Sequence, residues 1–291
     1  MARIFVSCPI LDRPEFRMID SVYQAIASCK EHQIRIYVHE NDSLISRVRN
    51  SHLSVFMNDA KDFDYFISFD SDIEIINRYQ HNNIFTKLVA HNKDFVGGLY
   101  ALKNDGKGVA CSSVPMEKGT IHYDSGLVRM RWLSSGCWCI KRSALEKMVA
   151  AYPDLAYDGD DIMSNQKLYG LYIPYLYTFQ ENGKTIKKYL SEDWAFTQRW
   201  IDIGGEIYAD TSIALKHYGK RAYTLFDTDI ITKIIQSGAT FPTTMASKQA
   251  TQVLPPVAPA QPPPVKTITL PAAGYDLKME NLCKQNNPKL P

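Results

Sequence analysis

The residues with most to offer chemically stand at 70 and 72, inside the stretch DYFISFDSDIE that spans residues 64–74. A run of strand-forming residues, Tyr65 to Phe69, stops there at two aspartates separated by one serine. Side chains alternate along a strand with period two, so Asp70 and Asp72 are expected to project to the same side. Like charges that close shift each other's protonation unless a cation holds them. The pair is either two solvated acids at a strand end or half of a metal site. In the second case it suits a hard divalent cation that keeps open positions for phosphate oxygens.

Three further segments bear on the choice. SLISRVRN (43–50) opens a helix ahead of the aspartate strand. Arg47 and Arg49 are two apart and do not share a helical face, so at least one is expected to reach a cleft and meet a nucleotide's base or diphosphate. The alternative is a pair of solvated surface arginines. RWLSSGCWCIKR (131–142) interrupts a strand-like run with serine and glycine, and a helix over 143–151 follows with Ser143 as its cap. Gly136 permits either close approach of a ligand to the backbone or a plain β-bulge. SEDWAFTQRW (191–200) offers Ser191 as an N-cap, with Glu192 and Asp193 in the first turn, where acids favour the helix dipole whether or not they serve a site. In LKHYG (215–219), His217 follows a short strand and precedes a glycine, placing it as a structural histidine or as partner to the carboxylates.

The elements that must position these groups alternate. Residues 3–7, 34–38, 65–69 and 95–99 read as strands, and 18–31, 43–59 and 83–91 as helices. That order predicts an α/β fold, a mainly parallel sheet covered by helices on both faces. Ligands of such sheets bind beyond the carboxyl ends of the strands, where Asp70, Asp72 and the loop Glu40 to Asp42 fall. Hydrophobic residues at 45% and charged ones at 22% are ordinary for a globular core. A net charge of +2 without a long basic run argues against a dedicated nucleic-acid binder. No apolar run approaches the ~18 residues of a membrane span. The six cysteines form no C-x-x-C pair, as for free thiols in a reduced compartment, so the expectation is a soluble, cytoplasmic protein. Ten of the fifteen prolines fall within 241–291, which predicts an extended polyproline or disordered tail behind a folded domain of residues 1–240. Such a tail could dock a protein partner.

Taken in order, the R-x-R-N helix, the hydrophobic strand ending D-S-D-I, the segment G-C-W-C-I-K-R, S-E-D-W-x-F and the late H-Y-G resemble the GT-A-type glycosyltransferases. The chain is particularly similar to their viral (chlorovirus-like) and fungal branch, which would place a viral member in the host cytoplasm. The resemblance runs from the first strand to about Gly219, and the tail has no counterpart in it. It implies the Rossmann-like GT-A fold and metal-dependent transfer of a sugar from a nucleotide sugar, most simply a UDP-sugar, to a hydroxyl of a glycan or glycoprotein. Under it Asp72 binds the metal directly and Asp70 contacts the metal's shell or the donor ribose. His217 completes the metal site, which favours Mn²⁺ over Mg²⁺ because imidazole is the softer ligand. Glu40 or Asp42 meets the nucleoside, and Asp193 handles the acceptor with Glu192 as its neighbour. One rival is a phosphohydrolase with a D-x-D nucleophile, but that family expects glycine and threonine where Ile73 and Glu74 stand. Another is a non-catalytic virion or surface protein that keeps the sugar-nucleotide fold and docks through its tail.

Overall fold

The computed structural model describes residues 1–39, 42–103, 108–113, 123–124, 126–159 and 166–224. The tail expected at 241–291, its boundary at 240, and Glu40 lie outside the described residues.

Strand and helix alternate from the start: β1 (Arg3–Pro9), α1 (Phe16–Ser28), β2 (Gln33–His39), α2 (Ile45–Asn58), β3 (Tyr65–Phe69), a short β4 (Ile73–Ile75), α3 (Ile84–Ala90) and β5 (Phe95–Gly98). Then come β6 (Cys111–Ser113), β7 (Tyr123–Asp124), β8 (Leu127–Leu133), β9 (Cys137–Lys141), α4 (Arg142–Ala151), β10 (Ala156–Asp158) and β11 (Lys167–Tyr169). A hairpin of β12 (Tyr175–Glu181) and β13 (Lys184–Leu190) leads into α5 (Glu192–Asp202), followed by β14 (Ile207–Asp210), β15 (Leu215–Tyr218) and β16 (Ala222–Thr224).

The central sheet has nine strands in the order β2-β1-β3-β9-β5-β14-β8-β6, with β7 against β8. Every strand in it except β8 and β9 runs the same way. The expected mixed α/β architecture with a mainly parallel sheet is therefore present. Reversed β9 sits between β3 and β5, so the stretch 131–142 forms two separate strands joined by a turn at Ser134 to Gly136. Ser143 does not cap the helix that follows: α4 starts at Arg142 behind Lys141.

Two apolar layers cover the sheet, and the period-two pattern of the strands assigns side chains to each. Ile4, Val6, Ile67 and Phe69 pack on one face with Met18, Val22 and Ala25 of α1 and Phe85 and Leu88 of α3. Phe5 and Phe66 pack on the other with Leu53 and Phe56 of α2, Leu145 of α4, and Phe196 and Trp200 of α5. Each fully buried Val, Leu, Ile, Phe or Met among them contributes about 1.5–3 kcal/mol. At the tip of the hairpin, Asn182 and Gly183 both take positive φ, 50° and 73°, which a two-residue turn of this hand requires. The Asn-Gly pair in ENGK was a legible signal for it. The hairpin delivers Leu190 to the interior and so fixes the start of α5.

Candidate active site

β3 ends at Phe69, opposite Cys137 at the start of β9. The Asp70 amide donates to Gly136 O at 3.3 Å, and the Ile73 amide returns to Asp70 O at 3.1 Å. Ser71 and Asp72 thus lie in a tight turn and not in an extended strand. The chain emerging from this turn is β4, which pairs antiparallel with β15 and sets Ile73 opposite His217. The Tyr218 amide donates to Asp72 O at 2.9 Å. Backbone pairing between distant segments therefore brings the histidine to the second aspartate.

His217 is tautomerically fixed on one side. Its Nδ1 lies 2.7 Å from Ala101 O, and a carbonyl only accepts, so Nδ1 carries the proton. In the neutral ring, Nε2 presents a lone pair. It faces Asp72 Oδ1 at 3.4 Å, and that oxygen is buried without a hydrogen bond. Asp72 Oδ2 is paired with the Lys103 ammonium. Burial alone would raise the Asp72 carboxyl; the imidazolium form of His217 and the Lys103 ammonium outweigh it and hold the group below the usual carboxylate range.

Asp70 has a different partner. Arg49, with 6% of its side chain exposed, reaches from α2 and places NH2 2.6 Å from Asp70 Oδ1 and NH1 2.5 Å from Glu192 Oε1. One guanidinium ties the aspartate turn to the first turn of α5. Its Nε is buried without a partner among the described residues. Burial pushes Glu192 above the usual carboxylate range, against the pull of Arg49, and neighbouring Asp193 adds to the rise. Asp193 Oδ1 accepts from the Ser191 hydroxyl and from the Trp194 amide at 2.7 Å. Its other oxygen has no hydrogen bond among the described residues. Ser191 stands at the N-cap position as expected, but its hydroxyl goes to Asp193 and to no helix amide.

The remaining expected residues are placed differently. Asp42 and Arg47 form a forked pair, Nε to Oδ2 at 2.7 Å and NH2 to Oδ1 at 2.8 Å, while the Leu44 amide adds a bond to Asp42 Oδ1. The pair holds the entry to α2 at the surface, with half of the Arg47 side chain exposed, whereas Arg49 is buried. Gly136 serves neither alternative considered for it: a Cβ there would stand 2.6 Å from the Tyr100 ring and hydroxyl, so the space belongs to Tyr100. The Tyr100 hydroxyl accepts the Gly136 amide at 2.9 Å, and its ring meets His217 edge-on at 5.1 Å. Tyr100 and Lys103 were not anticipated. Their signal was position, just past the carboxyl end of the FVGG strand β5. Among the described residues no three His, Cys, Asp or Glu side chains form a group that could hold a metal; Asp72 and His217 supply two donors. The described cysteines are free, and burial pushes Cys8 and Cys137 up to about 12, so neither is a nucleophile. No described helix is long and apolar enough to cross a membrane.

No protein-family model and no curated protein matches the chain. Among solved structures it is similar to A197 from STIV, with a TM-score of 0.48 and 19% identity over 78% of this chain and 92% of that one. It is also similar to a glycosyltransferase involved in the glycosylation of the major capsid of PBCV-1, with a TM-score of 0.29 and 12% identity over 51% and 67% of the two chains. A nucleoside-diphosphate-sugar pyrophosphorylase from Vibrio cholerae RC9 gives 0.37 and 10% over 71% and 91%. At these scores the chemistry of the site rests on its own geometry.

Proposed function

We propose that the chain is a GT-A-type, metal-dependent glycosyltransferase that moves a sugar from a nucleotide-sugar donor, most simply a UDP-sugar, to an acceptor hydroxyl of a glycan or glycoprotein. The observation that carries this reading is the facing pair at the aspartate turn. Asp72 Oδ1, buried and unbonded, looks at His217 Nε2 across 3.4 Å, while Nδ1 is committed to Ala101 O. An anionic oxygen and an oriented imidazole lone pair fit a divalent cation, and a backbone bond on the far nitrogen is the usual way such a ligand is aimed. Two protein donors leave positions for diphosphate oxygens and water. Mn²⁺ is favoured over Mg²⁺ by the imidazole. When bound, the cation would neutralise charge on the leaving diphosphate.

The chain's own residues supply the rest. Arg49 fixes Asp70 at the donor side through their ion pair and carries the alignment across to Glu192. Asp193 is assigned to the acceptor hydroxyl: Oδ1 is anchored by Ser191 and Trp194, and the other oxygen is left to take the proton as the sugar carbon is attacked. Release of the nucleoside diphosphate from a panel of UDP- and GDP-sugars, with and without Mn²⁺, tests the proposal. Metal-dependent release that Asp72→Asn abolishes in a folded protein is the expected result. No release from any donor, or release indifferent to Asp72→Asn, overturns it.

A further inference from the structure

Lys103 sits five residues past the end of β5 and carries its ammonium onto Asp72 Oδ2. Its aliphatic stem passes close over Gly219. A Cβ at Gly219 would stand 3.1 Å from Lys103 Cδ and 3.3 Å from Cγ. The backbone beneath is held on both sides, by the Leu102 amide on Gly108 O at 3.1 Å and by the bridge between Ala101 and Val109. Ala101, two residues away, aims His217. One short strap therefore orients the imidazole and neutralises the carboxylate of the same candidate cation site. With 39% of its side chain exposed, against 13% for His217, the lysine is the member of the group with room to move.

An ammonium and a divalent cation cannot share this carboxylate, because like charges a few ångströms apart repel strongly in a partly buried site. The flexible four-carbon stem of a lysine lets its ammonium swing to a new anion without moving the backbone. The donor's diphosphate is such an anion, and it binds where the cation binds. We propose that Lys103 occupies Asp72 in the nucleotide-free protein in place of the divalent cation, and transfers to the donor's diphosphate when cation and nucleotide enter. The proposal rests on the metal reading above and goes beyond it. It makes the two ligands cooperative: the cation alone must displace the lysine, and the nucleotide gives the displaced lysine a partner, a coupling felt equally by both.

The test is direct Mn²⁺ binding to the full-length chain, read from the electron paramagnetic resonance of the free ion, alone and with UDP or GDP. Lys103→Met keeps the stem over Gly219 and removes the charge. Without nucleotide, Lys103→Met should bind Mn²⁺ about fivefold more tightly than the parent, the scale set by a half-exposed ion pair. With saturating Mn²⁺, it should bind the nucleotide about tenfold more weakly, through loss of a charge-assisted contact. Lys103→Arg should stay close to the parent in both. Mn²⁺ binding that is lost in Asp72→Asn but unchanged in Lys103→Met overturns the lysine's role alone. A parent protein that binds no Mn²⁺ with either nucleotide, or an Asp72→Asn protein that binds it undiminished, removes the metal reading and this inference with it.

Discussion

A guanidinium as buried as that of Arg49 stays in place because two carboxylates face it, and those carboxylates stay close because it lies between them. Arg49→Met leaves Asp70 and Glu192 without their shared cation. Breaking a buried pair costs about 3–5 kcal/mol, and the partial exposure of both acids places this one near the lower bound. Urea unfolding should show that loss, and Arg49→Met combined with Asp70→Asn should recover part of it. A parent-like midpoint in the single variant would mean that the bridge carries no stability. Asp193 separates two effects of very different size. As a first-turn charge it is worth about 0.3–1 kcal/mol and should barely touch turnover. As the group that takes the acceptor proton, its loss slows the reaction about 10²–10⁴-fold. Asp193→Asn keeps the shape and is expected to fall in the second range with donor binding retained, while Glu192→Gln should cost less. Transfer at the parent rate would leave Asp193 as a helix-start acid only.

At the scale of elements, α2 is anchored against β1 through a buried polar pair as well as its apolar face. Ser7 Oγ and His52 Nδ1 lie 2.7 Å apart, and His52 Nε2 is buried without a hydrogen bond. Burial, with smaller contributions from His39 and Arg49, pushes His52 down to about 3 from an ordinary 6.5. The folded state therefore refuses a proton that the unfolded chain accepts between those values. Stability from this group is full above 6.5 and is lost as pH falls towards 3, at about 1.4 kcal/mol per pH unit inside the window. Urea-unfolding free energies should be level above pH 6.5 and fall with that slope below it, and His52→Gln should flatten the fall. An identical slope in the variant would assign the acid sensitivity to other groups. The same helix carries Arg49 one turn earlier, so this packing also holds the guanidinium in the site.

At the scale of the whole molecule, the described central sheet and its two apolar layers are built from residues up to 215. The ten prolines of 241–291 lack the amide donors that a helix or central strand needs. A chain ending near residue 240 is expected to unfold at the same urea concentration as the full chain and to hydrolyse donor at the same rate. Loss of soluble expression on truncation would show that the tail supports the domain.

Local pattern alone determined the α/β alternation, because an apolar strand with period two and an amphipathic helix each write their own register into consecutive residues. It also marked Asp70 and Asp72, which stand at the end of such a strand, and Arg49, Glu192, Asp193 and His217 as groups worth placing. Which of them meet was decided by tertiary structure. Pairing of β4 with β15 sets His217 beside Asp72, and the reach of Arg49 from α2 to α5 joins Asp70 to Glu192, contacts between segments far apart in the chain. The insertion of β9 between β3 and β5, and the ring of Tyr100 over Gly136, are likewise long-range choices. A sequence specifies such contacts only through the packing of the whole, so residues such as Lys103, ordinary in their local context, acquire a partner only once the chain has folded around them.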